Sequence, residues 1–378
     1  MNDTRAQKMI RRRRALRRRR IVAAGLAAAL LIALATVAVV TLYHRPQGAK
    51  KPPTSGKPAF TLTLDTSASA DATVTPRSIP ITGGKLSVDR LPFATAPGLR
   101  FIGWYTGPAG DTAAQLIDNT MLSQIATNTS TTLYARFETH PTGVDRSVHG
   151  LPILMYHDFY DPAKGEQADP AEKGNMLNLD SFAEQLDYLK KENYYFPSWE
   201  EVYAYVKGDI RLPDKSVVLT SDDGRPDVFD KAYPLLVQKQ ARMTSFVIGS
   251  MAVDNKLDLS KIDPRYLDIR SHTYGLHHRD SVAAGGRITH VDFATIAADV
   301  KEESAVVPQR FVMAYPYGQQ DVDFNAATEA ALQKLGFSLA VSTNKGLVYP
   351  GQDPMALHRR GVFEPTSLAQ FKILLSAE

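Results

Sequence analysis

From about residue 150 onward, short strand-like runs rich in apolar and β-branched residues alternate with longer stretches of helical period. These runs predict strands and lie at residues 216–220, 244–248, 266–270, 311–314 and 337–342. Apolar residues recur every three or four positions at 292–303 and 326–335, which predicts helices. Ser181 and Glu184 have the spacing of a capping box and predict another helix start. Repeated strand–helix units favour an α/β fold, a parallel (β/α) barrel over residues 150–378 with reactive side chains at the carboxyl ends of its strands.

A different pattern occupies residues 58–140, which we interpret as a small β domain. Residues 60–64 and 131–137 alternate apolar and polar side chains with period two, as half-buried strands do. Between them lie Trp104 and Tyr105, whose side chains either pack in the core and turns or form a platform for a sugar ring. This part resembles the internalin-type B repeat, a β-grasp-like surface module, in its Gly-Trp-Tyr core followed by Thr-Leu-Tyr-Ala-Arg. The resemblance implies a spacer or an adhesive module.

The longest apolar run, residues 21–43, contains no charged side chain. A helix of this length, at about 1.5 Å per residue, spans the roughly 30 Å hydrocarbon core of a bilayer. The arginine-rich residues 1–20 precede it, and the positive-inside rule therefore predicts a cytoplasmic tail, a single-pass signal-anchor and an extracellular remainder. A cleaved signal peptide is the alternative, with residues 33–35 as the recognition sequence. Residues 44–57 are basic and proline-rich, which predicts a semi-extended linker.

The charge distribution agrees with this topology. The chain has 44 basic and 40 acidic residues, a net charge of +4. The first twenty residues carry ten basic side chains and one aspartate, a charge of +9, which leaves −5 for the remainder. Because the membrane segment follows the arginines directly, we expect no nucleic-acid partner. The chain has no cysteine, so thiol chemistry is excluded and the exported part must be stabilised by its core.

Two groups of polar residues suggest chemistry. Asp222 and Asp223 end an apolar run, and two adjacent carboxylates raise each other's pKa unless a cation relieves the repulsion. Further along, His272 and His277 supply two imidazoles. One aspartate with two histidines leaves open positions on a divalent cation, as catalytic metal sites do. These residues and the 315–317 segment all follow predicted strands, so the sequence predicts metal-assisted hydrolysis at one edge of the barrel.

The motifs together resemble the polysaccharide deacetylase family (carbohydrate esterase family 4, the NodB-homology domain). The resemblance covers about residues 150–378 and rests on Leu154-Met155-Tyr156-His157, Leu219-Thr220-Ser221-Asp222-Asp223-Gly224, Ser271-His272-Thr273-Tyr274-Gly275-Leu276-His277 and Ala314-Tyr315-Pro316-Tyr317-Gly318. It implies a distorted barrel of the deacetylase type. It also implies that Asp222 is the catalytic base, that Asp223, His272 and His277 bind the metal, and that the backbone N–H of Tyr317 stabilises the oxyanion.

The chain departs from the family pattern at two positions, that of the arginine that orients the base and that of the general acid. The position of the arginine that orients the base is occupied by Ala314, and we predict that Arg359 supplies this guanidinium from another strand end. The C-terminal histidine motif that supplies the general acid is not evident, and His358 and His157 are the candidates. The step between the two metal histidines matches a branch of the family that acts on poly-N-acetylglucosamine-type polymers, with His278 as an alternative ligand.

The sequence therefore predicts a membrane-anchored, extracellular hydrolase that removes N-acetyl groups from a cell-wall or surface polysaccharide. Its cofactor is predicted to be a divalent metal, zinc, with cobalt or nickel also compatible with these ligands. Its partners are predicted to be the polysaccharide, such as peptidoglycan or a poly-N-acetylglucosamine, and the membrane. Two alternatives remain open, a glycan-binding protein with a degenerate barrel and an O-acetyl esterase.

Overall fold

The computed structural model describes residues 60–172, 174–277 and 287–376. The predicted cytoplasmic tail, membrane anchor and linker (residues 1–57) lie outside these ranges, and so does His278. Within the described ranges, no helix combines the length and the apolar character that crossing a bilayer requires.

The first part of the described chain is a six-stranded sheet. Its strands are β1 (Phe60–Asp65), β2 (Ser78–Thr82), β3 (Lys85–Leu86), β4 (Leu99–Tyr105), β5 (Leu116–Ile117) and β6 (Thr131–Thr139). They lie in the order β3-β2-β1-β6-β4-β5. The central pair, β1 and β6, is parallel, and the other pairs are antiparallel. The two strands predicted from period-two alternation are therefore the neighbours at the centre of this sheet.

Trp104 and Tyr105 take different positions in the sheet. Trp104 is 2% exposed, its indole N–H donates to the carbonyl oxygen of Pro92 at 2.8 Å, and its ring meets Phe101 edge to face. Tyr105 is partly exposed, and the guanidinium of Arg136 lies 4.1 Å from its ring centroid. Of the two interpretations offered by the sequence, Trp104 follows the core-packing one.

The second part is an α/β barrel. Its strands are β7 (Ile153–Tyr156), β8 (Asp158–Tyr160), β9 (Met176–Asn178), β10 (Val218–Ser221), β11 (Met243–Val247), β12 (Leu267–Ser271), β13 (Val312–Ala314), β14 (Leu339–Lys345) and β15 (Leu357–Gly361). Strands β10 to β15 close with β7 into a parallel barrel, while β8 and β9 form a separate pair. The five predicted strands correspond to β10–β14 with ends that differ by at most three residues. The predicted α/β barrel is confirmed.

Helices pack against the strands of the barrel. They are α1 (Leu179–Lys191), α2 (Trp199–Lys207), α3 (Tyr233–Lys239), α4 (Gly249–Asp254), α5 (Phe293–Glu303), α6 (Ala326–Lys334) and α7 (Leu368–Leu375). The two helices predicted downstream are α5 and α6. The capping box predicted at Ser181 and Glu184 is wrong, because α1 begins two residues earlier and Asn178 caps it by accepting from the N–H of Asp180. A true capping box joins Ser198 and Glu201 at the start of α2.

The sheet and the barrel share a hydrophobic core. Buried residues of β1, β4 and β6 belong to one cluster with residues of α2 and with the inward-facing side chains of the barrel strands. A polar contact crosses the same junction, where Glu138 of β6 accepts from Arg100 and from Arg211. Arg100 is itself buried and also donates to Asp145. The sheet therefore packs on the barrel as part of the same folded body.

Candidate active site and metal centre

The paired aspartates follow β10 at the carboxyl end of the barrel. Thr220 and Asp222 are two residues apart, so the period of a strand turns both side chains to the same side, and both contact Arg359. Asp223 has a left-handed backbone with φ of 72°. Gly224 follows with φ of 67°, and a Cβ there would lie 2.9 Å from the methyl groups of Val247. Glycine therefore permits the turn that separates the two carboxylates.

Arg359 holds Asp222 in a two-pronged ion pair. Its Nη1 lies 2.7 Å from Oδ1 of Asp222, and its Nη2 lies 2.6 Å from Oδ2. The guanidinium is fixed in turn by Thr220 and by the carbonyl oxygen of Ser342. Burial alone would raise the pKa of Asp222, but the charge and hydrogen bonds of Arg359 outweigh this effect and hold the pKa well below its usual value. The carboxylate is therefore ionised across the neutral range.

Asp223, His272 and His277 present three ligand atoms that lie within 4.8 Å of one another. Nε2 of His272 is 3.7 Å and Nε2 of His277 is 3.5 Å from Oδ1 of Asp223. Two ligands about 2.1 Å from a tetrahedral ion are about 3.4 Å apart, so the spacing suits a single divalent cation. The structure thus contains a possible metal site made of the three residues predicted as ligands.

The surroundings of His272 favour metal binding. Its Nδ1 lies 2.9 Å from the carbonyl oxygen of Ala314, so Nδ1 carries the proton and Nε2 presents its lone pair toward Asp223. Burial lowers the pKa of His272, although the nearby Asp222 opposes the shift. A neutral imidazole is the form that binds a metal. The backbone carbonyl group of Ala314 therefore orients this candidate ligand.

Tyr317 lies against the second metal histidine. Its ring centroid is 4.7 Å from that of His277, and its hydroxyl donates to the carbonyl oxygen of His277 at 2.8 Å. The turn that carries it is held by Thr343, which donates to the carbonyl oxygens of Tyr317 and Gly318. Tyr317 is thus at the site, and the oxyanion role of its N–H stays a prediction.

Three residues of the site have left-handed backbones although none is glycine. Asp223, Thr273 and Tyr317 have φ of 72°, 67° and 61°, and each lies in a turn just after a barrel strand. Such conformations cost about 1–3 kcal/mol each and persist where the surrounding structure imposes them. They change the chain direction at the strand ends, and two of these turns, after β10 and after β12, carry the three candidate metal ligands.

The structure does not bring His358 to this site, which corrects its prediction as the general acid. His358 and Arg359 are consecutive in β15, so their side chains point to opposite faces of the barrel wall, and Arg359 takes the inner face. The imidazole of His358 packs against Gly346, where a Cβ would come 2.6 Å from Nδ1. Burial and the nearby Arg146 lower the pKa of His358.

His157, the other candidate, does lie near the aspartates. It follows β7, the barrel neighbour of β10, and it is close enough to Asp222 and His272 to contribute to the pKa shifts of both. Its Nδ1 is buried without a hydrogen-bond partner in the described parts of the chain. A buried polar atom usually has a hydrogen-bond partner, so we expect Nδ1 of His157 to bind a water molecule or a ligand.

Sequence reasoning missed two acidic residues of α5 that lie beneath the metal histidines. Asp299 accepts the backbone N–H groups of Tyr274 and Gly275. Glu303 is buried below the backbone of His272, and burial, reinforced by Asp299, raises its pKa to about 9. Both belong to a helix with ordinary amphipathic spacing, and no local signal in the sequence distinguishes them from residues of a solvated face.

Comparison with known proteins agrees with this geometry. Residues 209–340 match the family model described as Polysaccharide deacetylase. The protein YxkH of Bacillus subtilis is 26% identical over 213 residues, which cover 55% of this chain and 70% of YxkH. The poly-β-1,6-N-acetyl-D-glucosamine N-deacetylase of Staphylococcus aureus is 27% identical over 195 residues, 47% of this chain and 67% of that protein.

Among solved structures, the Streptococcus pyogenes deacetylase PplD in complex with acetate has a similar fold. The match has a TM-score of 0.51 and 24% sequence identity, and it covers 60% of this chain and 99% of that one. The family model and the curated relatives support a polysaccharide deacetylase domain in this chain, and with it a deacetylase hydrolase. The PplD match shows a similar fold.

Proposed function

We propose that this chain is a metal-dependent N-deacetylase of a polysaccharide that contains N-acetylglucosamine. The observation that carries the proposal is the pairing of two arrangements: three ligand atoms of Asp223, His272 and His277 around one point, and the ionised Asp222 beside them. The name of the S. aureus relative, a poly-β-1,6-N-acetyl-D-glucosamine N-deacetylase, supports this substrate class.

The residues suit amide hydrolysis. When bound, a divalent cation supplies an electrophile that acidifies a water molecule and polarises the acetyl carbonyl group, and the ligand set of one carboxylate and two imidazoles favours zinc. Asp222 accepts the proton of the attacking water, and Arg359 keeps its carboxylate in place for that step. The backbone N–H of Tyr317 donates to the developing oxyanion. His157 gives a proton to the nitrogen as the carbon–nitrogen bond breaks, which yields acetate and an amino sugar.

The retained base argues for turnover. A protein that only binds glycans has no need of a carboxylate held ionised by a buried guanidinium, because burying such a pair costs desolvation energy. Arg359 makes four hydrogen bonds inside the barrel, so the loss of the family's arginine at Ala314 leaves Asp222 supported from another strand. The degenerate-barrel alternative is accordingly weaker for this chain.

We further propose that the enzyme acts outside the cell while it is attached to the membrane. The support is the sequence: the uncharged residues 21–43 follow the cationic residues 1–20, and residues 44–57 have the composition of a spacer. The β domain at residues 58–140 is proposed to be a module of the internalin B-repeat type. Residues 150–378 then form the deacetylase domain.

The test is acetate release from N-acetylglucosamine oligomers by the purified chain with zinc, with a chelator, and after substitution of Asp222 by asparagine. We expect release with zinc, and a loss of about 10²–10⁴-fold for Asp222→Asn. His277→Ala should lose both activity and stoichiometric zinc. Oligomer binding without acetate release from the zinc-loaded protein would instead favour the glycan-binding alternative. Release from O-acetylated sugars alone would favour the esterase.

A further inference from the structure

The segment between His272 and His277 is hydrogen-bonded to a residue of α5 that lies 24 and 25 residues further along the chain than its two partners. Asp299 of α5 is buried, and its Oδ1 accepts the N–H of Tyr274 at 2.9 Å while its Oδ2 accepts the N–H of Gly275 at 2.8 Å. Each carboxyl oxygen thus binds one of two consecutive backbone donors. A backbone N–H that is shielded from water and loses its acceptor is left unsatisfied at a cost in stability, so this contact fixes the local backbone.

The two histidines depend on this segment to different degrees. His272 directly follows β12 and is oriented by its hydrogen bond to the carbonyl oxygen of Ala314. His277 lies beyond the left-handed Thr273, at the far end of the turn, where its position follows from the path of the backbone. Leu276, one residue before it, is buried in a cluster with residues of α5. The same helix therefore holds the segment through a carboxylate and through an apolar side chain.

We propose that Asp299 is a positioning residue that sets His277 at the distance from Asp223 and His272 that a metal ion requires. The inference rests on the proposed metal-dependent function. Only a carboxylate offers two acceptors and no donor, which is what two parallel N–H groups demand. Asparagine has nearly the same shape, but its amide NH₂ would face one of the two N–H groups. The segment would then shift, and His277 would move with it.

The experiment compares metal binding by the wild-type chain, Asp299→Asn and Asp292→Asn. Asp292 caps the start of the same helix by accepting the N–H of Thr295 at 2.8 Å, and it is exposed. In the described residues, the N–H groups of Tyr274 and Gly275 donate to Asp299 and not to Asp292. Zinc affinity is measured by competition with a chelating dye, and the visible absorption of the cobalt-loaded protein reports ligand geometry. We expect Asp299→Asn to bind zinc about 10–100-fold more weakly and to show an altered cobalt spectrum, whereas Asp292→Asn should match the wild type in both.

Wild-type zinc affinity and an unchanged cobalt spectrum in Asp299→Asn would overturn the proposal. Asp299→Ser, measured in the same way, serves as the second variant if Asp299→Asn does not fold. The proposed function fails separately, if the wild-type chain binds zinc but releases no acetate from N-acetylglucosamine oligomers. A weakened affinity in Asp299→Asn would in that case still establish the positioning role.

Discussion

Substitution of Arg359 by methionine would keep much of the side-chain volume inside the barrel but remove the positive charge beside Asp222. The guanidinium is 1% exposed and lies within 2.7 Å of both carboxylate oxygens. Removing one partner of a buried ion pair costs about 3–5 kcal/mol, because the other charge stays buried without compensation. We therefore expect the free energy of unfolding at neutral pH to fall by this amount.

The same substitution should change the pH dependence of catalysis. With Arg359 present, the pKa of Asp222 lies well below its usual value, so the base is ionised throughout the working range. Without the guanidinium, burial dominates and raises that pKa. The acidic limb of the pH–rate profile should then move to higher pH. Turnover near neutrality should fall by up to about 10²–10⁴-fold, the usual contribution of a general base.

The assay is acetate release by the metal-saturated enzyme from pH 4 to pH 9, for wild type, Arg359→Met and Arg360→Met. Arg360 is the matched control, since it is the next residue of β15, is also buried and donates to carbonyl oxygens near the end of α7. Both variants should be less stable, but only Arg359→Met should shift the acidic limb. An unchanged limb and wild-type turnover in Arg359→Met would refute the assignment of Arg359 as the residue that keeps Asp222 charged.

Three further outcomes follow from the structure. Burial, reinforced by a neighbouring aspartate, raises the pKa of Asp158 to about 6, so the folded state disfavours ionisation and the protein loses stability as the pH rises from about 4 to 6. Relative to wild type, the free energy of unfolding of Asp158→Asn should be higher by up to about 3 kcal/mol at pH 7 and unchanged at pH 3. Urea titrations at the two pH values measure this difference. Thr273→Gly should stabilise the metal-free protein by about 1 kcal/mol in the same titration, because a β-branched residue at φ of 67° is strained, and a loss of stability would contradict this. Glu138→Gln should lower the melting temperature of the sheet and the barrel together, in one calorimetric transition, because Glu138 accepts from Arg100, which is buried at their junction. Two separate transitions would show that the sheet and the barrel unfold independently.

The barrel could be predicted from the sequence because its parallel strands are buried on both faces and read as continuous apolar runs. That Asp223, His272 and His277 come together could be predicted because they follow strands β10 and β12, and the carboxyl ends of parallel strands meet at one edge. The sequence did not fix the start of α1. Both Asn178 and Ser181 are favourable N-cap residues, and the structure uses Asn178, so that Ser181 and Glu184 lie inside the helix.

The sequence could not choose between His157 and His358 as the proposed general acid, and it did not reveal Asp299 as a support of the histidine segment. His358, Arg359 and Arg360 are three consecutive basic residues, and which of them faces the barrel interior depends on the phase of the strand. The apolar pattern does not fix that phase when the residues concerned are all polar. Asp299 contacts partners that lie 24 and 25 residues away in the sequence. Helical periodicity assigns Asp299 to one face of its helix but does not predict which part of the chain packs against that face.

The adjacent aspartates show how two like charges acquire different roles at one strand end. An extended chain would turn Asp222 and Asp223 to opposite sides of the barrel wall, and one carboxylate would leave the site. The left-handed backbone of Asp223, at φ of 72°, instead turns its carboxylate toward the two histidines, while Asp222 stays in the interior with Arg359. Each carboxylate thus has its own positive partner, the guanidinium for one and the proposed cation for the other. Because the guanidinium is permanent and the cation exchangeable, removing the metal should leave Asp222 ionised and alter only the surroundings of Asp223.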